Sequence, residues 1–133
     1  MKLKTFAVVM MTAILSPLVY ANKPDVIKHK GMCDASAAVS VTDDSFMVAN
    51  DEDNVLRVYA KNAETASQTY DLTEFLKVDT KKSPEEDIEG ATLIGKRIYW
   101  ISSHGRNKDS KSRPNRHRFF AADIENGVLK PVG

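Results

Sequence analysis

From residue 34 onward, short apolar runs alternate with polar turns along almost the whole chain. Alternation of apolar and polar residues over four to eight positions, as in V-L-R-V-Y at 55–59, is typical of a strand with one buried face. Residues 73–76 are expected to form one helical turn, and no helix of ordinary length is predicted after residue 21. We predict eight strands, at 34–41, 46–49, 55–59, 67–72, 88–94, 97–102, 117–124 and 128–132.

Two dipeptides mark tight turns between neighbouring strands. Gly95-Lys96 precedes the run 97–102, and Asn126-Gly127 precedes the run 128–132. Asn-Gly between apolar runs is the strongest short-range signal for a β-hairpin. Eight short strands with closely spaced turns predict an all-β protein.

The predicted strands fall into two sets of four that resemble each other. A shift of 53 residues superposes Asp34 on Asp87 as an identity and Met47 on Trp100 in character. A period near 50 residues with four strands per unit is typical of β-propellers, which close from roughly four to eight blades. We therefore expect an all-β fold made of two four-stranded antiparallel blades of an incomplete β-propeller, and a small β-sandwich is the alternative.

This interpretation sets the domain boundaries. Residues 1–21 are predicted to be a signal peptide and residues 22–133 a partial β-propeller, with blade one at about 34–72 and blade two at about 87–132. Two blades cannot close a ring, so we expect the missing blades to come from a longer protein or from other copies of the chain. Apolar faces without a neighbouring blade also favour self-association.

The N-terminal residues have the pattern of a signal peptide. Lys2 and Lys4 precede an apolar run at 6–15, and small residues precede an expected cleavage site after Ala21. The run is shorter than the ~20 residues that span a bilayer, although a membrane anchor remains the alternative. We expect an exported protein, periplasmic or secreted, with no membrane contact after cleavage.

Charge and cysteine content narrow the functional classes. Residues 1–21 hold two of the 19 basic residues and none of the 18 acidic ones, so the mature net charge is −1. A near-neutral chain argues against a nucleic-acid-binding protein. Cys33 is the only cysteine, which excludes an internal disulfide. We interpret it as a small buried side chain, with a reactive thiol or an intermolecular bridge as alternatives.

A propeller arrangement brings most charged loops to one end of the two sheets. In a blade, the segment before the first strand and the turn between the second and third strands lie on the same face. That face would collect the charged positions 34, 50–54, 87, 89 and 104–116. Because loops on a rigid scaffold often carry function, we expect a binding site on this face.

Acidic residues on this face are candidate ligands of a divalent cation such as calcium. Asp87 and Glu89 are two residues apart at a strand start, so both side chains point to the same side of the sheet. Hard cations prefer such oxygen ligands, although solvated charges at the rim are the alternative. Asp51 and Asp53 lie in an acidic turn that resembles half of a calcium loop without its Gly and distal Glu. Together with Asp34, we predict them as ligand-binding residues.

The basic loop, residues 102–118, holds six Lys or Arg against one Asp. Such a density predicts a site for a phosphate, a sulfate or an acidic sugar, and a solvated hairpin loop is the alternative. The sequence contains no Gly-rich phosphate loop, nucleophile elbow or Cys/His metal cluster, so it assigns a catalytic role to no particular residue and leaves open whether the protein is an enzyme. The candidate ligand-binding residues of this loop are His104, Arg106, Lys108, Arg113 and Arg116.

Several strings of the chain are specific enough to compare with known families. They are G-M-C-D-A-S-A at 31–37, N-D-E-D-N-V-L-R-V-Y at 50–59, D-I-E-G-A at 87–91, Y-W-I-S-S-H-G-R-N-K at 99–108 and R-P-N-R at 113–116. Together they resemble the bacterial domain of unknown function 3616 family, over about residues 31–124. Members of that family look like larger propeller-type proteins without an established activity, so the resemblance implies further blades, and no catalytic residue can be carried over from it. The string D-I-E-G is also similar to a blade-start motif of phytase-like and lactonase-like propellers, in which the Glu can bind a divalent metal.

Two classes of function follow from these observations. The first is a binding module that holds an anionic or sugar-like ligand, or a protein partner, on the charged loop face. The second is a metal-assisted hydrolase of phosphate esters or lactones, with Glu89 as a metal ligand. The hydrolase needs at least three oxygen ligands, for which Asp34, Asp87 and Glu89 are the candidates. We favour the binding module.

Overall fold

The computed structural model describes residues 25–132, so the predicted signal peptide lies outside the described residues. These residues form two four-stranded antiparallel sheets, which confirms the all-β prediction. Sheet 1 contains, in spatial order, β1 (Ala35–Thr42), β2 (Ser45–Asn50), β3 (Val55–Ala60) and β4 (Gln68–Asp71). Sheet 2 contains, in spatial order, β5 (Ile88–Ile94), β6 (Arg97–Ser102), β7 (Phe119–Glu125) and β8 (Val128–Val132). A short 3-10 turn at Pro114–Arg116 precedes β7, and no helix within the described range is long and apolar enough to cross a membrane.

Turn chemistry explains where several strands end. Asn126 and Gly127 both have positive φ angles, of 51° and 76°, as a two-residue type I′ hairpin turn requires. Gly95 has a φ of 63° in the turn between β5 and β6. The helical turn predicted at 73–76 is a hydrogen-bonded turn that does not continue into a helix. Its first N–H, that of Thr73, donates to the Asp71 carboxylate at 2.8 Å, so Asp71 supplies the capping side chain.

The core lies between the two sheets and contains one face of each. Leu56, Ile98 and Trp100 are fully buried there. The hydrogen-bonded turn after β4 extends this core, since Phe75 packs edge-on against Phe120 with ring centroids 6.3 Å apart. Burial of these apolar groups from both sheets is the main term that holds the sheets together.

The strands of the two sheets follow the same spatial order, so that equivalent strands are side by side. Their first strands are neighbours, and the Ser36 hydroxyl on β1 donates to the carbonyl of Ile88 on β5. On the opposite side, the Tyr70 hydroxyl on β4 lies 3.5 Å from the carbonyl of Gly127 in the turn between β7 and β8. Sheet 2 therefore repeats sheet 1 without reversal of the strand order.

A bulge in β1 corrects the predicted match between the second strands. Thr42 is opposite Ser45, as Ile94 is opposite Arg97, but the pairing of β1 is irregular between Ser40 and Thr42. Val41 is the extra residue of this bulge. After the turn, the residues of sheet 1 and sheet 2 therefore correspond at a shift that is one residue shorter than the 53 residues predicted. Met47 therefore corresponds to Tyr99 rather than to Trp100, and Val48 corresponds to Trp100. The prediction that Met47 matches Trp100 is wrong, because the sequence of β1 carries no signal that marks Val41 as an extra residue.

Residues 25–33, the lead-in, cover the face of sheet 1 that points away from sheet 2. The His29 ring packs against Phe46 and Tyr59, with centroid distances of 4.9 Å and 5.1 Å. The Tyr59 hydroxyl donates to the carbonyl of Lys30 at 2.7 Å. The lead-in thus contributes to the fold, although only an extended segment was expected. Cys33, at its end, is exposed, so its interpretation as a buried side chain is wrong.

Candidate functional site

The loops at one end of the two sheets come together through backbone hydrogen bonds. The Asp51 N–H donates to the carbonyl of Asp34 at 3.2 Å, which joins the start of β1 to the turn after β2. The Ser103 N–H donates to the carbonyl of Asp87 at 2.8 Å, which joins the start of β5 to the end of β6. Within each sheet, charged segments that the sequence assigned to one face therefore lie side by side.

Three carboxylates form an acidic cluster at this end. One carboxylate oxygen from each of Asp51, Asp87 and Glu89 lies within 4.8 Å of the other two. Burial raises the pKa of Glu89, and the charges of Asp87 and Asp51 raise it further. One oxygen of Asp51, Oδ1, is shielded from solvent and accepts no hydrogen bond from residues 25–132. Three convergent oxygens are the kind of ligand set that a hard cation prefers.

Asp87 is the most constrained member of the acidic cluster. Its φ angle is 55°, in the left-handed region that Asp visits more readily than most residues, and only 7% of its surface is exposed. Its Oδ2 accepts a hydrogen bond from the Ser103 hydroxyl at 2.5 Å and lies 2.8 Å from Arg116 Nη1. Both partners contact Oδ2, so Oδ1 is the oxygen of this carboxylate that remains for an additional ligand.

Arg116 connects the acidic cluster to the segment before β5. Its Nη2 lies 2.8 Å from the Glu85 carboxylate, so one guanidinium pairs with two acids. The amide of Asn115 donates to the carbonyl of Ser83. Residues 83–87 are therefore held against the C-terminal end of the basic loop.

Glu86 lies in the sequence between the paired acids Glu85 and Asp87, and its side chain is fully buried. Arg118 Nε lies 3.6 Å from Glu86 Oε1, and neither carboxylate oxygen accepts a hydrogen bond within the described chain. Burial raises the pKa of Glu86 to about 7, although Arg118 opposes the shift. The Asn54 side chain fixes this segment, since its Oδ1 accepts from the Glu86 N–H and its Nδ2 donates to the Pro84 carbonyl, both at 2.9 Å.

The basic loop has a defined conformation. The Asn107 side chain accepts hydrogen bonds from the N–H groups of Asp109 and Lys111, at 3.2 Å and 2.8 Å. The Arg106 guanidinium donates to the carbonyl of Ser110 at 2.9 Å. These internal hydrogen bonds favour an ordered loop over the alternative of a freely solvated one.

A basic cleft lies between the basic loop and the segment before β5. Its volume is about 460 Å³. A neighbouring cavity of about 420 Å³ shares Ser83 and Arg113 with it and adds Lys82. Sequence reasoning did not select Lys82; the only available signal was the Lys81-Lys82 pair before Pro84. The residues that line the basic cleft are Ser83, Pro84, Glu85, Asn107, Lys108, Arg113 and Arg116.

The remaining candidate residues lie outside the basic cleft. His104 and His117 are exposed, and their ring centroids lie 5.6 Å apart. Asp34 is exposed near Glu52, whose pKa is raised by the Asp34 charge. Asp53 forms an ion pair with Arg57 at 2.7 Å.

The pKa of Asp53 reflects that ion pair. Burial alone would raise it, but hydrogen bonds from the Arg57 guanidinium and from the Val55 N–H lower it overall. The Asp53 carboxylate therefore stabilises the turn after β2, and it is not among the oxygens of the acidic cluster. Of the three acidic residues predicted as ligand-binding, the structure brings only Asp51 into contact range of Asp87 and Glu89.

Comparison with known proteins gives one match. The family model described as "Protein of unknown function (DUF3616)" matches residues 34–124, which is more than half of the chain. No curated protein and no solved structure matches the chain.

Proposed function

The chain belongs to the family described as protein of unknown function DUF3616, and we propose that it is a binding module that holds an acidic sugar or a similar anion in the basic cleft. The observation that carries this proposal is the lining of that cleft. It contains three cationic side chains, Lys108, Arg113 and Arg116, and one acidic side chain, Glu85. Its volume lies in the range of ~300–1,000 Å³ that is usual for small-molecule sites.

The pairing of these charges supports an anionic ligand. Glu85 and Asp87 both pair with Arg116, whereas Lys108 and Arg113 form no ion pair with any other residue in 25–132. An arginine can bind a carboxylate or phosphate through two parallel hydrogen bonds, and a neighbouring lysine adds a point charge.

The uncharged lining of the cleft favours a sugar acid over a bare inorganic anion. Asn107 contributes a side-chain amide, and the Glu85 carboxylate is a hydrogen-bond acceptor for hydroxyl groups. A ligand with one negative group and several hydroxyls would use both kinds of partner. Glucuronate is the simplest probe with this chemistry.

Calorimetric titration tests this proposal. We expect glucuronate to bind the mature chain, 22–133, and neutral glucose not to bind. Arg113→Gln should weaken glucuronate binding by about tenfold or more, because a charge-assisted hydrogen bond contributes about 1.5–3 kcal/mol. Lys96→Gln is the matched control, since Lys96 is exposed in the β5–β6 turn at the opposite end of sheet 2. Equal binding by glucose, or equal weakening by both substitutions, would exclude the proposal.

We also propose that the two sheets are two blades of a β-propeller. Three observations support this arrangement: β1 lies beside β5, the sheets keep the same strand order, and Val48 corresponds to Trp100 after the bulge correction. Val48 points away from sheet 2, whereas Trp100 points toward sheet 1, as expected when each blade packs its front on the back of the next. The lead-in then occupies the position of a preceding blade.

We propose that the protein is exported, to the periplasm or outside the cell. The charged start, the apolar run at 6–15 and the small residues up to Ala21 support this location. Sequencing of the mature N-terminus from the producing cell tests it. An N-terminus at Asn22 is expected, and cytoplasmic protein that retains Met1 would contradict it.

A metal-assisted hydrolase is the second candidate, and the acidic cluster is the observation that favours it. Its three carboxylates would hold a divalent cation such as calcium, with Glu89 as a ligand, beside an anion in the basic cleft. Arg116 acts against this function, because it partly neutralises Asp87 and repels a cation. The calcium titration in the Discussion separates this candidate from the binding module.

A further inference from the structure

Two cavities follow each other along the segment before β5. The basic cleft lies beside residues 83–85 and has a volume of about 460 Å³, and the neighbouring cavity lies beside residues 79–83 and has a volume of about 420 Å³. Ser83 and Arg113 line both, so the two cavities share a wall. Each volume alone is within the range of ~300–1,000 Å³ that is usual for a small-molecule site. A single sugar acid in the basic cleft therefore leaves the neighbouring cavity free for a second unit.

Specific contacts hold the two walls of these cavities side by side. Arg116 Nη2 lies 2.8 Å from the Glu85 carboxylate, and the Asn115 amide donates to the Ser83 carbonyl. The two chain segments therefore run next to each other in the same direction. The preceding parts of both segments, within 79–82 and 112–114, line the neighbouring cavity. The two cavities together thus form one trough, which we call the basic trough.

Each cavity has a cation of its own, and a third cation lies at the shared wall. Lys108 lines only the basic cleft, Lys82 lines only the neighbouring cavity, and Arg113 lines both. None of the three forms an ion pair with any other residue in 25–132. The acid of the neighbouring cavity, Asp79, accepts hydrogen bonds from the N–H groups of Lys81 and Lys82, at 3.1 Å and 3.2 Å. The basic trough therefore presents free positive charge along its length rather than at one point.

The acidic cluster makes one end of the basic trough unfavourable for an anion. Glu85 and Asp87 each lie 2.8 Å from Arg116, so that guanidinium is already shared between two acids. The other members of the acidic cluster add negative charge next to Asp87. Because like charges repel each other, an anionic ligand longer than one unit is expected to extend away from this end and toward Lys82.

We propose that the basic trough binds a linear acidic oligosaccharide of two or more uronate units, with one carboxylate near Lys108 and Arg113 and the next near Lys82. This inference rests on the proposed function, since it extends the ligand of the basic cleft from one sugar acid to a chain of them. The Asn107 amide and the exposed Ser112 hydroxyl supply partners for the sugar hydroxyl groups.

The lining favours an acidic sugar chain over a single-stranded nucleic acid. Both ligands carry repeated negative charge, but single-stranded nucleic acids are usually held by aromatic side chains on which their bases stack. Within the described range 25–132, no aromatic side chain lines either cavity. The basic trough therefore offers charge and hydrogen-bonding groups, which suit a sugar acid, without a stacking surface for bases.

Calorimetric titration of the mature chain, 22–133, with galacturonate and its linear trimer tests this inference. The trimer should bind about tenfold more tightly than the monomer or better, because its second carboxylate meets the protein at a high effective concentration. Added salt should weaken binding of the trimer more than binding of the monomer, since more charge contacts are screened. A trimer with methyl-esterified carboxyl groups has the same length without the charge and should not bind.

Lys82→Gln separates the neighbouring cavity from the basic cleft. It should weaken binding of the trimer by about tenfold and leave binding of the monomer unchanged, because one charge-assisted contact is lost only in the longer ligand. Arg113→Gln should weaken both. Lys81→Gln is the matched control, since Lys81 is an exposed lysine next in the sequence that lines neither cavity. Circular dichroism on each variant verifies that it is folded.

The two sugars distinguish failure of this inference from failure of the proposed function. Monomer binding with a trimer that binds no more tightly would overturn the basic trough and leave the basic cleft as a site for one sugar acid. Equal effects of Lys82→Gln and Lys81→Gln on the trimer would do the same. Absence of binding by both sugars would overturn both proposals. An oligothymidylate of equal charge that binds as tightly as the trimer would overturn the assignment of a sugar ligand.

Discussion

Arg116 Nη1 lies 2.8 Å from Asp87 Oδ2, and Asp87 is a nearly buried residue in the left-handed backbone region. Removal of the guanidinium leaves a buried carboxylate close to two other acids. We expect Arg116→Gln to lower the free energy of unfolding by about 3 kcal/mol, within the range for breaking one side of a buried pair. Urea denaturation measures the change.

A matched control and a double variant isolate this pair. Arg106→Gln changes an exposed arginine of the same loop and should cost less than about 0.5 kcal/mol. Asp87→Asn combined with Arg116→Gln should recover part of the loss, because no unpaired charge remains at position 87. Equal effects of Arg106→Gln and Arg116→Gln would contradict the structural role of the pair.

The buried Glu86 makes stability depend on pH. Its pKa is about 7 in the folded state and near the ordinary glutamate value of 4.5 in the unfolded chain, so the folded protein holds a proton that the unfolded chain releases between these values. The free energy of unfolding therefore decreases as pH rises from about 4.5 to about 7. Glu86→Gln should remove this slope and stabilise the protein above pH 7 by an amount on the order of 2 kcal/mol.

Thermal melting of both proteins from pH 4.5 to pH 8 provides the measurement for Glu86. Glu85→Gln is the control, since Glu85 is only half-buried and pairs with Arg116. This control should lose some stability and keep the slope. A slope that is the same in Glu86→Gln and in the unchanged protein would show that another group titrates.

The acidic cluster predicts weak calcium binding under the hydrolase candidate. With one oxygen from each residue, the three carboxylates supply fewer oxygens than the six to eight that calcium takes, so water must complete the shell. Calorimetric titration with calcium should show uptake that Glu89→Gln weakens by about tenfold or more. Asp109→Asn, an exposed acid of the basic loop, should have no effect. Absence of uptake, or uptake that Glu89→Gln leaves unchanged, removes the hydrolase candidate.

The contact between the lead-in and sheet 1 predicts a measurable contribution from one hydroxyl. Tyr59→Phe removes the hydrogen bond to the Lys30 carbonyl and should destabilise the protein by about 1 kcal/mol. Tyr70→Phe is the control, because its hydroxyl contacts the exposed Gln68 side chain and lies at the long distance of 3.5 Å from the Gly127 carbonyl. Chemical denaturation compares the two variants, and an equal loss in both would indicate that the lead-in contact adds nothing specific.

Much of the fold was predictable because local chemistry determines it. The bounds of β5, β6 and β8 agree with the sequence prediction, since Gly95-Lys96 and Asn126-Gly127 mark the turns. The start of β7 was placed two residues too early, at His117. The 3-10 turn at 114–116 and the ion pair of Arg118 with Glu86 keep that segment outside the strand pairing.

The sequence predicted which end of the sheets carries the candidate site, but not which of its residues contact each other. Strand direction placed Asp51, Asp87 and Glu89 at one end, but which carboxylates touch depends on how the sheets pack. Asp34 was expected as the third oxygen ligand, and Asp51 occupies that position instead. Glu86 was missed because a run of three acids resembles a solvated loop, and the residue that fixes its backbone, Asn54, lies more than 30 positions upstream.

The lead-in separates the unit that folds from the unit that the family shares. The family match begins at residue 34, whereas the His29 ring and the Lys30 carbonyl already contact the back of sheet 1. A protein trimmed to the shared region would lose the cover of Phe46 and Tyr59. Their apolar surface would then be exposed to solvent. The region that matches the family is therefore shorter than the unit that covers its own apolar surface. Expression of the domain should start before residue 25, so that the lead-in is included.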